Sequence, residues 1–324
     1  MKIVRRIVAG LAFAMLPVSA FAQADSFPSK AVHLVVSFAA GGVSDIVGRV
    51  VAQRMTEFLG QTVIVENRPG AGGVIGTNYV AKAPPDGYIF VLTSPTQLAI
   101  APNLQKSIPY DPIKDFSAIG GIAMTPNILT INMALPIRSL RELVAHAKSN
   151  PGKLSFGSSG QGSVGHLSGE ILRVSTGADM LHIPYKSAGA AYPDMFSGAV
   201  SMVFDTLPSA IQHVNSGKAR PIALMSDKRS PLLPDVPTFA EAGYPEATLR
   251  FWIGLHGPAG MPPAVVQKLN DALNKALASP ELRERFAALG ADPLPITPQE
   301  LASYTRSSLE QITRTIKAAG IRAE

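Results

Sequence analysis

Short, unbroken apolar runs alternate along the chain with longer runs in which apolar residues return every three or four positions. Val32–Val36 is a continuous, β-branched run of the kind that forms a buried parallel strand. Val47, Val50, Val51, Met55, Phe58 and Leu59 then recur at helical spacing over 46–59, and Gly60 stops that helix. Residues 62–66 read as a second strand, 74–81 as a short helix and 88–92 as a third strand, which ends at Thr93-Ser94-Pro95. Strands and helices joined by short links predict a parallel sheet covered by helices.

The pattern then repeats with different contents. Residues 119–133 read as one or two strands broken at Thr125-Pro126-Asn127. A helix over 140–148 starts at Ser139, with Glu142 placed for a capping box. Strands over 154–156, 181–185, 200–204 and 220–225 alternate with helices over 163–175, 188–197 and 207–216. Leu167, Ile171, Leu172 and Val174 form the expected buried side of the first of these helices. This is a second α/β unit. A proline-rich connector over 230–237 leads to a strand over 249–256 and to three helices, which begin at Pro262-Pro263, Pro280 and Pro298.

Composition narrows this picture. The 324 residues suit one large or two moderate domains, and 46% hydrophobic against 16% charged residues favours a packed core over disorder. Lys2, Arg5 and Arg6, an apolar stretch over 7–18 and Ala20-Phe21-Ala22 have the layout of a secretory signal peptide over 1–22, with the mature chain starting near Gln23. That segment holds three cations and no acids, so the net charge of +6 falls to +3 once it is removed. So mild a charge, without basic runs, does not point to nucleic acid. The chain has no cysteine, which excludes disulfides, thiolate metal sites and a cysteine nucleophile, and an exported protein of this kind fits a bacterial periplasm.

Three glycine turns carry the candidate chemistry: residues 38–45, 68–77 and 157–166. Each joins a strand to a helix, where free backbone N–H groups at a positive helix end can hold an anion. The third contains Gly160, Gly162 and Gly165 in the spacing of a dinucleotide site, but the next strand ends Pro184-Tyr185-Lys186-Ser187 without the acid that would bind a ribose. Ser158, Ser159 and Ser163 instead add hydroxyls suited to a small carboxylate; the plainer reading is a turn that serves only strand–helix packing. No cofactor is expected. A serine hydrolase using Ser158 or Ser163 with His166 lacks the nucleophile elbow, and the six histidines show no zinc spacing. Asp45 reads either as a helix-end partner or as a contact to a donor on a ligand, and Asp205 offers the same choice. Arg68 reads as an anion contact or an ion-pair member, and Trp252 as core or hinge packing.

Taken together, the signal segment, Phe38…Gly41-Gly42-x-x-Asp45, Glu66-Asn67-Arg68-Pro69-Gly70-Ala71-Gly72-Gly73 and Pro85-Asp86-Gly87-Tyr88 resemble the tripartite tricarboxylate transporter receptors, the Bug family. So do Gly160-x-Gly162-Ser163-x-x-His166-Leu167, Pro184-Tyr185-Lys186, Asp235-Val236-Pro237-Thr238 and Glu241-x-Gly243. The resemblance implies a two-lobe α/β periplasmic binding protein, type II-like, closing on its ligand like a flytrap. One lobe would hold residues 24–121 and 229–324, the other 122–228. It implies a monomeric, non-catalytic receptor for a small carboxylate, docking to a membrane permease or a sensor protein. Carried over by position, Phe38, Ala40, Gly41, Gly42 and Asp45 belong to the first lobe's site, with Thr77 and Ser94 nearby. Ser158, Ser159, Ser163 and Asp205 come from the second. Ser37 departs from the family, which often has proline there, and adds a hydroxyl near the expected cleft.

Overall fold

The computed structural model describes residues 27–249, 251–318 and 321; the expected signal peptide and its cleavage point lie outside them. In chain order the elements are β1 (Val32–Val36), α1 (Val43–Leu59), β2 (Val63–Asn67), α2 (Val74–Ala81), β3 (Ile89–Thr93), α3 (Ala101–Leu104), β4 (Phe116–Thr125) and β5 (Asn127–Asn132). There follow α4 (Leu140–Ser149), β6 (Leu154–Ser158), α5 (Val164–Thr176), β7 (Met180–Pro184), α6 (Tyr192–Ser197), β8 (Met202–Thr206), α7 (Leu207–Asn215) and β9 (Ala219–Met225). The last are β10 (Phe251–Pro258), α8 (Pro263–Ala278), α9 (Pro280–Leu289), β11 (Asp292–Pro293) and α10 (Pro298–Ala318).

Helix α1 shows how the pattern becomes structure. Val47, Val51, Met55 and Leu59 recur every fourth residue and are all buried against the sheet. Gly60 closes the helix in the left-handed region (φ 70°), its N–H donating to the Thr56 carbonyl. The buried stripe is narrower than the apolar pattern suggests: Val50 lies at its margin and Phe58 faces solvent. Val174 of α5 is likewise exposed, beside its buried neighbours Ile171 and Leu172.

The strands form two sheets, ordered β11-β4-β10-β3-β1-β2 and β7-β6-β8-β5-β9. Both are mixed rather than all parallel. β1 runs parallel to β2 and β3, and β6 parallel to β7 and β8; β10 and β5 are antiparallel insertions, and the two-residue β11 pairs antiparallel at the edge of the first sheet. The reason is the path of the chain. β4 leaves the first sheet as β10 returns to it, so the two pair with Thr125 opposite Phe251. Across the gap β5 begins where β9 ends, with Asn127 opposite Met225. The outgoing connection is Pro126 alone, which has no N–H to continue a ladder and so ends one sheet before the next begins.

One buried segment has no counterpart in the sequence pattern. After Pro95 the chain makes a wide turn over Thr96–Ile100 and runs into α3. The Gln97 side chain accepts from the Ser94 N–H (3.0 Å) and hydroxyl (2.6 Å), and the Tyr110 hydroxyl donates to the Gln97 carbonyl (2.8 Å). Leu98, Ala99 and Ile100 are fully buried, but three adjacent apolar residues show no helical period. Trp252 is core: its ring meets Tyr304 edge-on and its N–H donates to the Ser308 hydroxyl (3.2 Å).

His256, buried on β10, faces the Thr93 hydroxyl through Nδ1 (2.8 Å) and the Thr305 hydroxyl through Nε2 (3.4 Å). Burial lowers its pKa to about 3, so the folded protein holds it neutral. The unfolded chain takes up that proton first, so this contribution to stability is complete above the ordinary histidine value and is lost as pH falls from there towards about 3. The thermal midpoint of the wild type is expected to fall more steeply on acidification from neutrality to about pH 4 than that of His256→Asn. Parallel profiles would contradict this.

Candidate functional site

Strands of both sheets release their chains into helices at one shared gap. It offers roughly 530 Å³ of space, part of it open to solvent. Phe38, Gly42, Val43 and Ser44 line it after β1, and Thr96 after β3. Ser159, Val164 and Gly165 line it after β6, Ser187, Ala188 and Gly189 after β7, and Asp205, Thr206 and Ser209 at the end of β8. Asn127, Phe204 and Phe251 complete it. Ligands of open α/β sheets bind in such crevices at the carboxyl ends of strands. A Cβ built on Gly42 would come within 3.9 Å of the Ser187 Cβ, so the two sides of the gap nearly touch.

The first jaw is held by Asp45. Gly42 starts α1 without a side-chain cap; the first helical bonds run from the Asp45 and Ile46 N–H groups to the Gly42 carbonyl. The N–H groups of Val43 and Ser44 precede those bonds. Asp45 itself turns away from the gap. Its carboxylate accepts from the Gly41 N–H (3.0 Å) and Asn67 Nδ2 (3.0 Å) and pairs with Arg49 (2.9 Å). Asn67 also donates to the Phe38 carbonyl (3.1 Å), so the acid ties the β1–α1 turn to the end of β2. Burial alone would raise its pKa; the hydrogen bonds from Arg49, Gly41 and Asn67 outweigh it and hold the pKa below the ordinary value.

The second jaw is the turn from β6 into α5. Gly160 (φ 104°) and Gly162 (φ 71°) take backbone conformations that side chains disfavour, and a Cβ at Gly165 would meet the Phe204 carbonyl at 2.8 Å. The dinucleotide-like glycine spacing thus serves turn geometry and helix–strand approach. Ser163 caps α5, accepting from the His166 N–H (3.1 Å), and donates to the Ser158 hydroxyl (3.2 Å). The pairing expected for a hydrolase is not formed. Ser158 bonds His182 Nε2 (2.7 Å), while His166 Nδ1 accepts from the Gly162 N–H (3.1 Å) and its ring stacks on His182. Ser158 and Ser163 are buried and neither lines the gap. Burial, then the neighbouring His166, lowers the pKa of His182 to about 3.

The third side carries unspent polar groups. Asp205 and Thr206 end β8, with Asn127 opposite Thr206 in the ladder to β5. All three residues are buried, and Asn127 Nδ2, Asp205 Oδ2 and Thr206 Oγ1 have no hydrogen-bond partner. The other carboxylate oxygen of Asp205 accepts from the Thr206 N–H (2.7 Å). The Ser209, Tyr192 and Thr206 hydroxyls stand near the carboxyl and moderate it, but none meets hydrogen-bond geometry at Oδ2. Burial dominates and pushes the Asp205 pKa up to about 6. Asp205 is the one ionisable side chain among the described residues that line the gap, and no lysine, arginine or histidine joins it. Buried polar atoms without partners are uncommon, and these three face one space.

Of the residues expected from sequence, Phe38, Gly42, Ser159 and Asp205 line the gap; Ala40 and Gly41 lie on the exposed turn beside it. Thr77 is buried behind the first jaw against the Ser37 hydroxyl (3.2 Å), which therefore faces the lobe interior. Ser94 supports the gap from behind, accepting from the Thr96 N–H (3.3 Å). Arg68 pairs with Glu66 (3.1 Å) and stacks on Tyr79, away from the gap. Sequence reasoning passed over Asn127, Ser187–Gly189 and Thr206. Thr206-Leu207-Pro208 did carry a helix-start signal.

A family profile described as the tripartite tricarboxylate transporter family receptor matches residues 47–321. Protein BugT of Bordetella pertussis is 36% identical over 314 residues, which cover 97% of this chain and 96% of that protein. The solved structure of Rpa4515 from R. palustris with adipate is 34% identical, with a TM-score of 0.88 over 92% of this chain and 100% of that one. MatC from Rhodopseudomonas palustris with bound malate is 31% identical, with a TM-score of 0.85 over 90% of this chain and 100% of that one. The matched span includes the second and third glycine turns and both crossings between the sheets, and this chain belongs to the tripartite tricarboxylate transporter receptors, a family of periplasmic solute-binding proteins.

Proposed function

We propose that this protein is a non-catalytic periplasmic receptor that closes two lobes on a small carboxylate, in the gap between the β1–α1 turn, the β6–α5 turn and the end of β8. The observation that carries this reading is the convergence of the α1 and α5 helix starts with three unpartnered buried polar atoms on a space lined, among the described residues, by no cation. Backbone N–H groups of several helices supply the positive potential that a carboxylate needs. The adipate and malate bound to similar proteins support the same ligand class. The lobes divide as residues 24–121 with 229–324 against 122–228, and the place of Ile122–Thr125 in the first sheet supports moving the outgoing crossing to Pro126. The chain reaches the periplasm behind a cleaved N-terminal signal peptide, works as a monomer, and its closed form docks to a membrane permease or a sensor.

A thermal-shift screen of small carboxylates tests this. At a hundredfold excess over Kd, a matching ligand is expected to raise the midpoint by roughly 5 °C. No shift with any mono-, di- or hydroxycarboxylate would contradict it.

The unpartnered acid gives a second expectation. Because burial raises the Asp205 pKa to about 6, the folded state holds its proton more tightly than the unfolded chain. Its contribution to stability is therefore greatest below the ordinary aspartate value and is lost as pH rises through about 6. Asp205→Asn should stabilise the ligand-free protein at about pH 8, by on the order of 1–3 kcal/mol, and change little near pH 4. An unchanged or lower midpoint for Asp205→Asn at the higher pH would show that the carboxylate is satisfied within the fold.

A further inference from the structure

The gap is one-sided in its hydrogen bonding. The first-turn N–H groups of α1 and α5 and Asn127 Nδ2 are donors, and each is complementary to an anion. Asp205 Oδ2 is the exception: buried, unpartnered and, when ionised, able only to accept. Among the described lining residues no lysine, arginine or histidine offsets its charge, which only the nearby hydroxyls of Ser209, Tyr192 and Thr206 and the Thr206 N–H moderate. A ligand bearing only carboxylates would bring a second anion against this oxygen, whereas a plain aliphatic acid would bring it no donor. Either arrangement is costly in a buried site.

We propose that Asp205 is a specificity residue, selecting carboxylates that carry a hydrogen-bond donor, such as a hydroxyl, an ammonium or a second acid group that binds in its protonated form. This rests on the carboxylate-receptor reading above. The carboxylate lies against the helix starts, and the donor, a few carbons away, meets Oδ2. Thr206 Oγ1, which both donates and accepts, sits beside that contact and adapts to either a hydroxyl or an ammonium. The selection is pH-dependent for dicarboxylates. A dicarboxylate shares one proton with Asp205, so its binding takes up a proton at neutral pH and strengthens in acid. Tyr192 is the other titratable group facing Asp205, and burial followed by the charge of Asp205 raises its pKa, so it stays neutral through this range.

The test is calorimetric titration of the full mature protein with matched four- and six-carbon series: the plain monocarboxylate, its ω-hydroxy and ω-amino forms, and the dicarboxylate. Wild type and Asp205→Asn are compared near pH 5 and pH 8. In the wild type at the higher pH, the best hydroxy or amino compound is expected to bind about tenfold or more tightly than the plain acid and the dicarboxylate of equal length. Dicarboxylate affinity should rise about tenfold or more on going to the lower pH. Asp205→Asn should shift the donor-to-dicarboxylate ratio about tenfold towards the dicarboxylate and flatten its pH dependence. Carboxylate binding with a ratio and pH profile unmoved by Asp205→Asn would overturn the proposal and leave the receptor reading intact. Failure of every compound at both pH values would overturn both. The wild-type pH profile decides the matter even where the variant is poorly folded, because a dicarboxylate that binds equally at both pH values contradicts the shared proton.

Discussion

Helices that begin in a buried gap leave N–H groups that water cannot easily reach and that their own chain cannot bond. Here α1 starts at the gap without a side-chain cap, and α5 starts there with its cap, Ser163, turned inward towards Ser158; α7 also starts there, but its Leu207 N–H is taken by the Pro126 carbonyl and Pro208 has none. The surrounding structure follows from holding these starts in place. Asp45, Asn67 and Arg49 lock one turn, Ser163 and the glycines after β6 lock the other, and Ser94 with Gln97 braces Thr96 between them. Asp45, Ser163 and Ser94, expected from sequence at the ligand site, hold the turns around the gap through bonds within the protein.

The two sheets serve the same end. Each supplies parallel strands whose carboxyl ends point to the gap, and each admits an antiparallel strand, β10 or β5, because the chain must leave and return. Both crossings lie side by side, with Thr125 opposite Phe251 and Asn127 opposite Met225. The N–H of Leu207 at the start of α7 donates to the Pro126 carbonyl (2.8 Å), so the crossing is tied directly to the end of β8, where Asp205 and Thr206 line the gap. Closure and recognition are thereby mechanically linked.

Much of this was legible in the sequence where local forces decide. Ser139 with Glu142 announced the start of α4, and the Glu142 N–H does donate to the Ser139 hydroxyl (3.2 Å). The period of Val47, Val51, Met55 and Leu59 announced α1, and the glycine turns announced where strands give way to helices. What stayed hidden depends on the path of the chain through space. No local pattern states that β10 enters its sheet antiparallel, or that Asn127 and Thr206 stand opposite one another. The direction of a turn hydroxyl is equally non-local: Ser158 and Ser159 are neighbours, yet one faces His182 inside the lobe and the other the gap. Pro184-Tyr185-Lys186 is legible as a strand end without a ribose acid and as a family motif, but nothing local marks Ser187, Ala188 and Gly189 as lining the gap.

The central claim is that backbone N–H groups from both lobes share one anion. Backbone amide NMR of isotope-labelled protein during titration with a binding carboxylate tests it most directly. The amides of Val43 and Ser44 on one side and of Gly165 and Gly189 on the other are expected to shift together, with a single affinity. Shifts confined to one side of the gap, or absent from all four amides while the ligand still binds, would contradict it.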